Sequence, residues 1–163
     1  MLTEKEDVLK KLDELKIDYE LMEHEAVYTI EEMENLNMPR IDEVIKNLFV
    51  RDEKKQNYYL IIVSKNKSVN LKELRRKIEC KPLTFAKEED LYKYLGLTKG
   101  AVTPLGVFND KDAFVHLIID KDLFSYERIG IHPNENTATV WVKLDDIIKL
   151  YKDNGNDIID VEI

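Results

Sequence analysis

The chain has 163 residues, 44% hydrophobic and 36% charged, which fits one compact domain and excludes disorder as its dominant state. Its formal charge of −8 argues against a protein that coats nucleic acid nonspecifically, and no apolar run approaches the roughly 20 residues that span a membrane as a helix. One cysteine, Cys80, rules out an internal disulfide, and the lack of CxxC and HExxH leaves no metal-site signature.

Leu2, Val8, Leu9, Leu12 and Leu15 recur at helical spacing and predict an amphipathic helix over Thr3–Leu15, with Thr3 as its cap and Glu6 in the capping-box position. This charged N-terminus is unlike a signal peptide, and the chain reads as cytoplasmic. Apolar and polar residues alternate over Tyr19–Glu23, a short strand. Thr29–Glu32 repeats the capping box and opens a second helix that Pro39 interrupts. Val44–Val50 and Tyr58–Val63 are β-branched and aromatic runs flanking the polar DEKKQN, a hairpin pattern. Asn70 and Glu73 mark another helix start, Thr84–Ala86 a short strand, and Glu88–Tyr94 a helix ending near Gly96. Gly100–Gly106 (GAVTPLG) is rich enough in glycine and proline to read as a loop. Phe114–Ile119 and Thr137–Val142 are buried strands, and Leu144–Tyr151 is a final helix starting at or just before Asp145. Helices and strands mix without strict alternation, so the expected fold is α/β, a single domain over residues 1–163 with a mixed β-sheet flanked by helices.

A local basic patch stands out against the acidic whole. Between Lys65 and Lys81 lie Lys65, Lys67, Lys72, Arg75, Arg76, Lys77 and Lys81, opposed only by Glu73 and Glu79. On a helix Lys72, Arg75 and Arg76 share one face and Leu71, Leu74 and Ile78 another. The patch permits a nucleic-acid partner, although a solvated helix face reads the same way. Cys80, in the last turn of this helix, reads as a structural thiol. There is no GxSxG, P-loop or GxGxxG.

Three places break the rules of a plain scaffold. Lys46-Asn47 enters the apolar run VIKNLFV, so Lys46 is either an edge lysine or a cleft cation able to grip a carbonyl or phosphate oxygen. GAVTPLG is either an ordinary turn or a concavity of backbone amides for an anion or oxyanion. The segment from Gly130 to Thr139 gathers His132, Asn134, Asn136, Thr137 and Thr139 before a buried strand, as turn caps or as substrate contacts. His24, His116 and Asp120 read as structural.

Taken together, HEAVYTIEE (24–32), VIKNLFVRD (44–52), GAVTPLGVFND (100–110), VHLIID (115–120) and IHPNENTATV (131–140) resemble the YbaK/ProX superfamily of aminoacyl-tRNA editing domains. The GxVTPxGxxND and HPxxNTAT forms look closest to its freestanding ProXp-ala (PrdX) branch, related to the insertion domain of bacterial prolyl-tRNA synthetase. The cysteine-editing branch usually carries a GGCSP-like loop, from which Ala101-Val102-Thr103 departs. The resemblance implies a trans-editing deacylase acting on alanyl-tRNA for proline, with no metal or cofactor. A related mischarged-tRNA deacylase, or a noncatalytic tRNA- or synthetase-binding module, is the alternative. It implies catalytic roles for Lys46, Gly100 and His132. Asn47, Ala101, Val102, Thr103, Pro104, Gly130, Asn136 and Thr137 would contact the substrate, and Lys65, Lys67, Lys72, Arg75 and Arg76 the RNA. Apart from the resemblance, position alone, with Pro39 breaking the helix, makes Thr29–Arg40 a candidate lid over the pocket. The implied partners are aminoacylated tRNA and, transiently, prolyl-tRNA synthetase.

Overall fold

A computed structural model describes residues 1–163. The chain runs through α1 (Lys5–Glu14), β1 (Tyr19–Glu23), α2 (Ile30–Glu34), β2 (Ile45–Asp52), β3 (Tyr58–Ser64), α3 (Leu71–Ile78), β4 (Leu83–Phe85), α4 (Glu88–Leu95), β5 (Val115–Asp120), β6 (Ile129–Ile131), β7 (Ala138–Val142), α5 (Leu144–Asn154) and β8 (Ile158–Val161).

Two sheets form. The larger, ordered β4-β2-β3-β5-β8, has five strands and is mixed, because β2 pairs antiparallel with β3 and β4 while β3, β5 and β8 run parallel. Its central strand β3 is buried without a break from Tyr58 to Val63, as a strand covered on both faces must be. Ile45 and Phe49 of β2 face the main core with α1, α4 and α5, whereas Leu48 and Val50 face Leu74 of α3. The smaller sheet, β1-β7-β6, is antiparallel. The two meet at a single β-bridge between Val44 and Gly130.

The hairpin of β2 and β3 has the expected place, and its turn is set by buried Asp52, whose carboxylate accepts the Gln56 amide at 2.8 Å and the Asn57 side-chain amide at 2.9 Å. Asn70 caps α3 through its Oδ1 as the sequence suggests. Several expectations need correction. Helix α1 begins at Lys5 with no side-chain cap, because residues ahead of it are drawn off the helix: the Leu2 amide donates to Asn109 at 2.6 Å, and the Leu2 carbonyl accepts from Asn109 and Asn134. Thr29 does cap α2, accepting the Glu32 amide at 3.1 Å. That helix ends at Glu34, before Pro39 can act, as left-handed Asn37 and Arg40 turn Met38 into the cluster of Val27, Met33, Val44 and Trp141. GAVTPLG is not irregular: Lys99–Ala101 and Pro104–Asn109 are 3-10 turns, the second capped by buried Thr103. Cys80 lies beyond α3, which left-handed Glu79 terminates at Ile78. Strands β6 and β8 come unannounced.

Candidate active site

A cavity of about 270 Å³ opens where the two sheets join. Val44–Asn47 form one wall, Gly130–His132 with Thr139 a second, and Lys99, Gly100 and Val102 a third, while Val27–Ile30 and Met33 close it from above. The bridge between Val44 and Gly130 brings the first two walls together. Only glycine permits this approach, since a Cβ at position 130 would meet Trp141 Nε1 and Val44 Cγ2 at 2.9 Å each. The role of Gly130 is thus close packing rather than substrate contact alone.

The polar groups come from different elements. Lys46 lies on the α3 side of β2, its ammonium donating to the Lys67 carbonyl. Asn47 projects to the opposite side, and its Oδ1 is buried with no hydrogen-bond partner. An unpaired buried acceptor costs about 1–3 kcal/mol, which a ligand donor would recover. His132 donates from Nδ1 to the Ala138 carbonyl at 2.9 Å, so its neutral ring carries the lone pair on Nε2. Burial holds the His132 pKa below its ordinary value, against the Ala138 hydrogen bond and with help from His24. His24, 6.3 Å from His132 between ring centroids, bonds the Glu25 carbonyl at 2.7 Å and the Thr139 hydroxyl at 2.8 Å. Its Nδ1 faces a carbonyl and so donates there, and its Nε2 is within hydrogen-bond reach of the Thr139 hydroxyl, which lines the cavity. Gly100 lies under the Tyr28 ring, where a Cβ would come within 2.7 Å of Cδ1 and 2.9 Å of Cε1.

Of the residues expected at the site, Lys46, Asn47, Gly100, Val102, Gly130 and His132 line this one cavity. Ala101, Thr103 and Pro104 do not: all three are buried, Thr103 capping its 3-10 turn and the Pro104 carbonyl accepting the Tyr151 hydroxyl at 2.7 Å. Asn136 and Thr137 act as braces instead. Asn136 donates to the Val27 carbonyl at 2.9 Å and the Thr137 carbonyl accepts the His24 amide at 2.9 Å, which pins the segment after β1 over the cavity. The expected lid, Thr29–Arg40, supplies a wall through Thr29, Ile30 and Met33. Thr139 joins the cavity from the polar segment after Gly130 and Met33 from the expected lid, whereas Tyr28 and Lys99 have no sequence signal beyond lying in HEAVYTIEE and beside GAVTPLG.

The basic patch is smaller than its composition. Lys65 pairs with Glu34 at 2.9 Å, and Lys67 with Asp120 at 2.7 Å and Asp122 at 2.6 Å. Burial opposes the Lys67 charge, but these two carboxylates outweigh it and raise its pKa. Lys72, Arg75 and Arg76 make no ion pair. No three His, Cys, Asp or Glu side chains converge as a metal-binding group, and no helix is long and apolar enough to cross a membrane.

A family model for the aminoacyl-tRNA editing domain matches residues 24–150. The chain belongs to that family. It is 47% identical to the prolyl-tRNA editing protein ProX of Acetoanaerobium sticklandii over 98% of this chain and 97% of that one. It is also 34% identical to the mouse prolyl-tRNA synthetase associated domain-containing protein 1, over 92% of this chain and 90% of that one. The fold matches the crystal structure of a candidate trans-editing enzyme for prolyl-tRNA synthetase at a TM-score of 0.74 and 20% identity, over 100% and 99% of the two chains. As a member of the editing family the protein is an aminoacyl-tRNA deacylase, a hydrolase of the ester that holds an amino acid on the wrong tRNA.

Proposed function

We propose that the protein removes alanine from tRNA for proline, acting in trans to the synthetase. The observation that carries this is the cavity itself: a small chamber with apolar walls from Val27, Ile30 and Met33, ringed by Lys46, Asn47, Gly100 and His132. The ProX relative's name supports the tRNA assignment. A pocket built for proline rejects alanine weakly, because each absent methylene changes binding by only about 1–3 kcal/mol, so fidelity needs a second site that is small enough to exclude proline.

In this reading the aminoacyl side chain lies against Ile30 and Met33. The unpartnered Asn47 Oδ1 accepts from the substrate's α-ammonium. A water attacks the ester carbonyl, the carbon–oxygen bond to the tRNA breaks, and the products are free alanine and tRNA with its terminal hydroxyls restored. Backbone amides around Gly100 and the Lys46 ammonium, released from the Lys67 carbonyl, stabilise the oxyanion as it forms. Neutral His132, with its Nε2 lone pair, orients the water.

The test is deacylation of alanyl- and cysteinyl-tRNA, both on the proline tRNA, by wild type and Lys46→Ala. Alanine is released by wild type and retained at least a hundredfold longer by the variant, in line with the loss of one oxyanion-stabilising group, about 10²–10³ in rate. The variant's melting temperature falls by no more than about 4 °C, since one half-buried hydrogen bond is worth only about 1 kcal/mol. Release of cysteine alone reassigns the substrate. Release of neither refutes the reading.

A further inference from the structure

The aminoacyl ester stands on the terminal nucleotide of a tRNA, and the nucleotides before it are single-stranded, so they must leave the cavity along the protein surface. A second groove, of about 540 Å³, begins where the cavity ends, because Asn47, Lys99 and Val102 line both. Its outer wall carries Phe85 and Lys87, and Leu91 lies in its floor. Phe85 sits on β4, an edge strand, and its ring is 60% exposed. A large apolar side chain this exposed at the side of a groove can serve as a stacking platform, and stacking tolerates any base.

The charges fit the same occupant. Lys87 and Lys99 are exposed and make no ion pair, and Glu88 is the single acidic side chain in the lining. The groove is therefore net positive on a chain of net charge −8, as a strand of phosphates requires. By contrast Lys65 and Lys67, on the α3 side of the sheet, are engaged with carboxylates.

We propose that this groove holds the single-stranded 3′ end of the tRNA, with the penultimate base stacked on Phe85 and the adjoining phosphates on Lys87 and Lys99. The inference rests on the editing reading for its substrate but is judged apart from it.

The experiment measures binding of a 5′-fluorescein-labelled ACCA tetranucleotide by anisotropy. Wild type binds it. Phe85→Ala weakens binding about tenfold, a loss within the range of one base–aromatic stack. Phe85→Trp restores it, which a merely structural role would not allow. Lys87→Gln flattens the dependence of log affinity on log salt by about 0.7, the slope of one phosphate on a single strand. Equal affinity of wild type and Phe85→Ala, or no binding by wild type, overturns the proposal. Deacylation of full-length alanyl-tRNA by wild type tests the editing reading separately. Its absence sinks that reading, while the tetranucleotide still decides the groove.

Discussion

Replacing Gly130 by alanine puts one methyl into the contact that joins the two sheets. That methyl would lie 2.9 Å from Trp141 Nε1, 2.9 Å from Val44 Cγ2 and 3.1 Å from Val44 Cα. Carbon contacts settle at about 3.5–4.0 Å, so the strands must part by roughly 0.5–1 Å. Overpacking of this kind costs about 1–3 kcal/mol. A displaced Trp141 also loosens its hydrogen bond to the Arg40 carbonyl, 3.2 Å long, and leaving that buried donor unpaired adds about 1–3 kcal/mol. The sum, about 2–6 kcal/mol, lowers the melting temperature by roughly 5–20 °C at this chain length. The same parting separates Lys46 and Asn47 from His132, and misplacement of about 1 Å is worth up to 10² in rate. Thermal denaturation followed by circular dichroism and the alanyl-tRNA assay read the two effects. A variant with wild-type melting and wild-type turnover would refute the argument that this bridge builds the cavity.

Removing the Asp110 carboxylate with Asp110→Ala strips acceptors from the Phe114 amide at 3.0 Å, the Val115 amide at 2.9 Å and Asn156 Nδ2 at 2.8 Å. Urea unfolding then shows a loss of about 3–5 kcal/mol, and a loss below about 1 kcal/mol contradicts this. Burial keeps His132 below 6.5, so the rate stays flat on acidification to pH 6.5 and falls only below it, as Nε2 takes a proton. The stability term has the same sign: the unfolded chain protonates this ring at about 6.5 and the folded one later, so the contribution is complete above that pH and declines below it. An acidic limb centred above pH 6.5 would be incompatible with a buried neutral ring. Met33→Ala enlarges the side-chain end of the cavity and raises hydrolysis of prolyl- relative to alanyl-tRNA by about tenfold or more, at a cost of about 2–5 kcal/mol in stability. An unchanged ratio removes Met33 from specificity.

Local chemistry made much of the fold readable. The β2–β3 hairpin, the Thr29 and Asn70 caps and the left-handed Gly96 after α4 are set by neighbours within a few residues. What failed to show depends on distant partners. Thr3 has the right chemistry for a cap, yet Asn109 and Asn134 hold the residues around it. Strand β8 is recognisable only beside β5, some forty residues earlier, and β6 contains the glycine that its packing demands. At the site, Lys46, Asn47, Gly100 and His132 stood out because each is an unusual residue for its surroundings. Tyr28 and Met33 look like ordinary apolar residues, and nothing in their spacing says that they face a cavity. Asn136 and Thr137 illustrate the converse: hydrogen-bonding capacity is plain in sequence, but whether it meets a substrate or the Val27 carbonyl is decided by tertiary structure.

The roof over the cavity is a five-residue helix, α2, leading into left-handed turns at Asn37 and Arg40, whereas Lys46 and His132 are rooted in or beside strands of two different sheets. On the proposed function, the part that measures the amino acid is therefore built separately from the part that breaks the bond. Exchanges at Ile30 or Met33 can retune which side chain is admitted without relocating the reacting groups. A lineage built on this scaffold has a short, independently variable segment through which to change the error it corrects while inheriting the hydrolysis unchanged.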